Sequence, residues 1–279
     1  MTLAAHKAAA TRDGWLPKLI VSDLDGTLVS HYHGMSDGHR DMMEYLVHKG
    51  IPVVPATGRG PRLLDLTRAE VGGGDGYLIM AQGAVVFEGH TLLHVDSMPY
   101  DDALTITDKV RGALGEIRIG AEDARDFGGP LRLQHGFQWP YSLDEAAYVD
   151  PADVVIGDVL KIFVESGVQD IDDLLQTVRT VIPPDTASVT HSGIGFVEIS
   201  PVGVTKATGL AFVAERLGID AADVLCFGDM PNDIPMFEWA GRSVAMANAH
   251  PDVLAVADDV TGTCEELGFS TYIKELFNW

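Results

Sequence analysis

The sequence predicts an α/β protein, a doubly wound parallel sheet with a second, α+β unit inserted into it. Three observations predict this. Short apolar runs alternate with helical patterns through the first 80 residues, and the same alternation returns from about Val202. Between those stretches the rhythm is lost, and helices and strands follow one another irregularly. Strands that alternate with helices pair in parallel, and the crossover helices cover both faces of the sheet.

The elements follow in order. Leu19-Ile20-Val21 is a buried strand that runs into Ser22-Asp23-Leu24-Asp25-Gly26-Thr27-Leu28, a polar loop at its carboxyl end. Ser36 caps a helix with Met42, Met43, Leu46 and Val47 on one face and Gly50 just past its end. Ile51 to Ala56 reads as the second strand, although Pro55 is a misfit for a central parallel strand and nothing in the sequence explains it. A turn at Gly58-Arg59-Gly60 leads to a helix from Pro61. Tyr77 to Met80 is a third strand, and Val85 to Leu93 reads as a hairpin about Glu88-Gly89-His90. In the middle, Asp101 to Leu114 and Ile171 to Val181 read as helices. Glu116 to Ala121, Leu131 to Phe137, Val159 to Glu165, Ala187 to His191 and Phe196 to Ile199 read as strands. Glu122 to Pro151, broken by prolines and glycines, is the least readable part. Beyond it come a helix from Lys206 to Leu217 ended by Gly218, a strand Val224 to Phe227, a helix Ile234 to Trp239, a strand Ser243 to Met246 and a helix after Pro251. This divides the chain into a discontinuous core, residues 1–97 and 200–279, with residues 1–15 as a loose tail, and an inserted unit, 98–199.

Acidic residues outnumber Lys and Arg by 41 to 19, a net charge of −22, which disfavours nucleic acid and anionic membrane as partners. A phosphate-bearing ligand would need local positive charge or a metal to enter such a field. Cys226 lies inside an apolar run, so it reads as a reduced core residue of a cytoplasmic protein, and Cys264 is the only other cysteine. No segment reaches the ~18–20 apolar residues that span a membrane. Monomer and homodimer both remain open.

Four strand ends carry the chemistry. Asp23 and Asp25 stand one residue apart where open α/β sheets bind ligands. Two carboxylates so close repel unless a cation or a proton sits between them, which suggests a Mg²⁺ site with a nucleophile and a proton carrier. Thr57-Gly58 offers a hydroxyl and a bare amide, suited to phosphate oxygens at a helix start. Thr205 reads as an N-cap, which puts Lys206 in the first helical turn against the macrodipole; a cation there can hold an anion together with the amides. Phe227-Gly228-Asp229-Met230-Pro231-Asn232-Asp233 again leads acidic residues out of a buried strand. If these strands are neighbours, the four ends form one anion-plus-metal site.

That constellation, in that order, resembles the haloacid dehalogenase-like (HAD) superfamily, and within it the Cof-like subfamily IIB phosphatases. The signatures are Asp23-Leu24-Asp25-Gly26-Thr27, Thr57-Gly58-Arg59, Lys206 and Gly228-Asp229-Met230-Pro231-Asn232-Asp233. Ala245 to Ala249, whose Asn248 matches an Asn supporting the acidic loop, and Ala257-Asp258-Asp259-Val260 extend it. Thr57 and Lys206 lie 149 residues apart, and the excess over two βα units has the size of the family's cap. Gln82 departs from the subfamily's usual Asn.

The resemblance implies that Asp23 attacks phosphorus and that Asp25 is acid and then base. It implies phosphoryl oxygens held by Thr57, Gly58 and Lys206, with Asn232 beside them. It further implies Mg²⁺ bound by Asp23, the Asp25 carbonyl and Asp229, with Asp233 behind. Asp25 favours a phosphatase over the family's ATPases, which carry Thr there. The cap would read the substrate, a small phosphorylated metabolite, most readily a sugar or polyol phosphate. In Val159 to Glu165 the alternation puts Leu160, Ile162 and Val164 toward the helices and Lys161 and Glu165 on the open face above the site. Arg59, Lys161 and His135 are the substrate candidates. His31, His33 and His39 read as surface residues. Two other functions fit the same pattern, a phosphosugar mutase or phosphotransferase of the superfamily and a catalytically silent phosphate-binding protein.

Overall fold

The computed structural model describes residues 14–30, 33–72, 74–140 and 146–279. His31 and most of the expected tail therefore lie outside the described residues. Trp15 does not belong to a loose tail: its indole N–H donates to the Ala222 carbonyl at 3.1 Å.

Before the insertion come β1 (Leu19–Ser22), the small pair β2 (Val29–Ser30) and β3 (Gly34–Met35), β4 (Val53–Pro55), β5 (Tyr77–Met80), β6 (Val85–Glu88) and β7 (Thr91–Val95). The inserted region adds β8 (Ile117–Asp123), β9 (Leu131–Gln134), β10 (Ala146–Val149), β11 (Val159–Ser166), β12 (Ser188–Thr190) and β13 (Val197–Ser200). After it come β14 (Val224–Gly228), β15 (Arg242–Ala245) and β16 (Asp259–Val260). One sheet has the order β16-β15-β14-β1-β4 and is parallel throughout. The chain leaves β1 toward β4 and later returns on its other side with β14. The crevice between β1 and β14 is thus a topological switch point, where such sheets bind ligands.

The apolar runs feed both faces because side chains alternate along a strand. Leu19, Val21, Val224 and Cys226 pack under helices Lys206–Leu217 and Ile234–Trp239. Ile20, Leu225 and Phe227 pack on the opposite face against helices Asp37–His48 and Gly268–Leu276. The Asp37–His48 helix buries His39, Met42 and Leu46, while Val47 is exposed. His39 is therefore not a surface residue. Its Nδ1 meets the Leu28 carbonyl at 3.0 Å, its ring stands edge-on to Phe269, and burial lowers its pKa.

Pro55 now has an explanation. The Ala56 N–H donates back to Ser22 of β1, and the Thr57 N–H to Ile79 of β5. By strict alternation the missing N–H of Pro55 points toward β5, where the only pairing among the described residues is one bridge, Ala56 to Ile79.

The second sheet has the order β10-β9-β8-β11-β13-β12 and is antiparallel except for β9 with β10. β10 was illegible in the sequence. Helices Tyr100–Leu114 and Ile171–Val181 cover one face. On that face β11 departs from simple alternation: a register shift between Val159 and Lys161 turns Leu160 away from the helices, toward Leu78, Met80 and Val204 at the junction of the two sheets. The other face is not open. Phe137, Phe163 and Phe196 bury it with Leu131 and Leu133, and Trp139 packs against them. Among the described residues, no helix is long and apolar enough to cross a membrane.

Candidate active site

β1, β14 and β4 are neighbours, so three of the four expected segments leave the same sheet edge side by side. Asp23 follows β1, Asp229 follows β14 and Thr57 follows β4. The fourth arrives from below: helix Lys206–Leu217 starts against the turn Ala81–Gly83, where the backbones nearly touch. A Cβ on Gly83, which has φ +98°, would lie 2.0 Å from the Thr205 carbonyl oxygen. Thr205 has the extended torsions of an N-cap, and its N–H donates to the Thr208 hydroxyl at 3.1 Å. Lys206 is then fully buried beneath the loops.

Its ammonium donates to Asp23 Oδ1 and, at 2.7 Å, to Asp233 Oδ1. Asp233 Oδ2 accepts from the backbone N–H groups of Asp229 (2.9 Å) and Met230 (3.0 Å), so both its oxygens are engaged in holding the loop. This fold-back needs Gly228, since a Cβ there would lie 2.5 Å from the Asp233 carboxyl carbon. Asp229 takes a hydrogen bond from the Thr27 hydroxyl at 3.0 Å and a longer one from Asn248 Nδ2 at 3.3 Å. Asn248 also donates to the Gly26 carbonyl, tying the two acidic loops together.

Asp23, Asp229 and Asp233 offer carboxylate oxygens within 4.8 Å of one another, all buried. One ammonium faces three carboxylates. Burial pushes the Asp229 carboxyl up to about 7, helped by Asp233, and raises Asp23 well above the ordinary range against the pull of Lys206. Burial also works against the Lys206 ammonium, but Asp23 and Asp233 outweigh it and hold its pKa above the usual value. A hard divalent cation fits this set: all donors are oxygens, and the excess negative charge matches it.

Asp25 stands at the mouth of a cavity of about 210 Å³ that reaches Asp23 from under the second sheet. Arg59 holds both Asp25 oxygens, at 2.9 and 2.5 Å, and also pairs with Glu70. Arg59, expected as a substrate candidate, lines the cavity but spends its guanidinium on these carboxylates. The Thr57 hydroxyl accepts from the Arg59 N–H at 3.1 Å. Gly58 lies in a loop ahead of the Pro61–Leu63 turn, not at a helix start. Lys161 reaches down from β11, donates to the Gly58 carbonyl and pairs with Glu198 at 2.7 Å. Glu165 points elsewhere, toward the Gln138 N–H and Arg118. His135 is a second correction. It is exposed, stacks near Tyr148 and does not line the cavity, because it sits at the far end of β9.

Sequence reasoning missed Glu198, Arg62, Glu122 and Trp139. Gln82 was noticed only as a departure. It has φ 61° and ψ 26°, left-handed torsions unusual for Gln, and such strain gathers at functional sites. Its amide donates to Glu198 and accepts from Asn232 Nδ2 at 3.1 Å, linking the two sheets through the acidic loop. The available signal was Glu198 itself, an acid in the middle of the buried run Val197-Glu198-Ile199. A second cluster, Asp172, His191 and His250, also joins the sheets, with each histidine Nε2 at one Asp172 oxygen. Both Nδ1 atoms accept backbone N–H groups, so the Nε2 atoms carry the protons and face Asp172 as donors.

The fold and the acidic cluster at its switch point define a hydrolase of the HAD type. Residues 20–273 match the haloacid dehalogenase-like hydrolase family, and the chain belongs to it. It is 33% identical over 277 residues to the Bacillus subtilis (strain 168) protein named "Putative phosphatase YxeH", covering 93% of this chain and 98% of that one. It is 27% identical over 267 residues to the 5-amino-6-(5-phospho-D-ribitylamino)uracil phosphatase YcsE of the same organism, covering 92% and 94%. A solved HAD subclass IIB sugar phosphatase shares the fold with a TM-score of 0.75 at 23% identity, covering 92% of this chain and 98% of that one.

Proposed function

We propose that the protein is a Mg²⁺-dependent phosphatase of a small phosphorylated metabolite, a sugar or polyol phosphate, with residues 98–199 acting as the cap over a core of residues 1–97 and 200–279. One observation carries this: Asp23 lies buried against Lys206, beside Asp229, at the floor of a cavity with Asp25 at its mouth.

Asp23, Asp229 and the Asp25 carbonyl would hold the cation, while Asp233, with both oxygens engaged, keeps the loop in shape. Bound there, Mg²⁺ would offset the charge of the phosphoryl group and of the carboxylates around it. Asp23 attacks phosphorus through the oxygen that Lys206 does not hold; the ester P–O bond breaks and an aspartyl-phosphate forms. Asp25 supplies the proton to the departing alkoxide. It then takes one from the water that attacks the acyl-phosphate, which returns Asp23 as carboxylate and releases inorganic phosphate. For either transfer Asp25 must free an oxygen from Arg59. Lys206 and the Thr57 hydroxyl would hold phosphoryl oxygens, with Asn232 beside them. A cation there would offset the crowding of negative charge that, with burial, raises the Asp23 and Asp229 carboxyls.

The test is phosphate release from p-nitrophenyl phosphate with Mg²⁺ and with EDTA. Wild type should turn over only with the metal, and Asp23→Asn should lose essentially all activity while keeping its melting temperature. Comparable turnover in Asp23→Asn would overturn the assignment.

A further inference from the structure

We infer that Asp172 is a positioning residue: its carboxylate clasps the inserted region to the core by accepting from His191 and His250 together, and so holds the far wall of the cavity against the loop of Asp229. This rests on the reading of residues 98–199 as a cap and goes beyond it by naming the contact that keeps the cap seated.

Asp172 stands in the first turn of helix Ile171–Val181, where its own N–H donates to the Asp170 N-cap at 2.9 Å. One carboxylate oxygen meets His191 Nε2 at 2.9 Å and the other meets His250 Nε2 at 3.3 Å. His191 follows β12 in the inserted region, whereas His250 follows β15 in the core and caps helix Pro251–Val256. Both rings are set from behind, since the Gly193 and Asp252 N–H groups donate to their Nδ1 atoms at 3.2 Å each. With Nδ1 as acceptor, Nε2 carries the proton and offers no lone pair to a metal, so the three residues do not make a cation site despite their types. They make two N–H donors aimed at one carboxylate.

The contact leads to the site on both sides. In the core, the His250 N–H donates to the Asp229 carbonyl at 2.8 Å. In the inserted region, Ser192 lines the cavity and donates to Glu198 at 3.1 Å. Gly193 lies against Met230, where a Cβ would be 2.0 Å from the Met230 methyl. Other polar contacts also join the two regions: Arg62 to Glu122, Lys161 to the Gly58 carbonyl and Gln82 to Glu198. Each of these includes a residue that lines the cavity, so an entering substrate competes with it. Asp172 and His250 do not line the cavity and stay clear of that competition. The Asp172 side chain is also 53% exposed, so water replaces the histidines when the cap lifts and no buried charge is stranded. A contact of that kind can open and reform with each turnover. The Lys161–Glu198 pair, 3% and 1% exposed, cannot do so at the same low cost.

The test is Asp172→Ala and Asp172→Asn in the full chain, with Asp173→Ala as control because it removes a carboxylate from the same helical turn. Amide hydrogen exchange reads the clasp without any turnover. In Asp172→Ala the amides of Gly193 and His250 should exchange about fivefold faster than in wild type, while those of β1 and β11 keep their rates. With p-nitrophenyl phosphate and Mg²⁺, KM should rise about fivefold and kcat stay within about twofold. A cap seated about a fifth of the time weakens apparent binding by that factor, and saturating substrate restores it. Asp172→Asn keeps one acceptor oxygen and should fall between Asp172→Ala and wild type. Asp173→Ala should match wild type in both measurements. Unchanged exchange at Gly193 and His250, an unchanged KM, or equal effects in Asp173→Ala would overturn the inference and leave the phosphatase reading standing. Faster exchange spread evenly over β1 and β11 would overturn it as well, since Asp172 would then serve stability alone. No turnover in wild type would overturn the phosphatase reading, and hydrogen exchange would still decide the clasp.

Discussion

At the residue scale, Asp229 carries a cost that a cation would remove. Burial lifts its pKa to about 7 with Asp233 adding to the effect, while an Asp in the unfolded chain titrates near ~3.9. Between those values the folded protein holds a proton that the unfolded chain has lost. The associated stability is therefore fully present below pH ~4 and disappears as pH rises through about 7. In EDTA the melting temperature should fall from pH 5 to pH 7.5, and Asp229→Asn should flatten part of that slope. A slope unchanged in the variant would mean that other groups, Asp23 first among them, carry it.

At the element scale, the position of Lys206 depends on where its helix begins. The turn Ala81–Gly83 takes positive φ at all three residues, and at Gly83 the helix backbone comes close. Gly83→Ala would meet both a disfavoured φ and a carbonyl oxygen 2.0 Å away. The helix should shift outward, with a stability loss of about 2 kcal/mol and a larger proportional loss of activity, because Lys206 would leave Asp23. Thermal melts and phosphate release measured on the same preparation check this; an active variant with a lowered melting temperature would show that the contact is structural only.

At the scale of the whole molecule, a chain of net charge −22 gathers three buried carboxylates around one ammonium at the sheet's switch point. A ligand that binds only the folded state stabilises it by RT ln(1 + [L]/Kd), about 2.7 kcal/mol at a hundredfold excess over Kd. Millimolar Mg²⁺ should raise the melting temperature of wild type. Asp229→Asn should match or exceed wild type in EDTA and show a blunted Mg²⁺ shift. If Asp229→Asn keeps the full shift, Asp229 is not a ligand.

Most of the parallel sheet was legible because its strands are uninterrupted apolar runs, and a strand buried on both faces tolerates little else. The acidic and Thr-Gly segments were legible too, since each sits immediately after such a run, where its placement is local. Sequence order alone could not say that β1 lies between β14 and β4; that adjacency, which turns four separate loops into one site, is a property of the tertiary fold. What lies above the site was decided only by tertiary structure. The register shift before Lys161 moves Leu160 off the helix face, and the end of β9 carries His135 away from the cavity. Arg59 and Lys161 looked like free cations in the sequence because their partners, Glu70, Asp25 and Glu198, are named by contact across elements and not by spacing along the chain. A charged side chain shows its type in the sequence. Whether that charge is available to a ligand depends on which opposite charge the fold brings beside it.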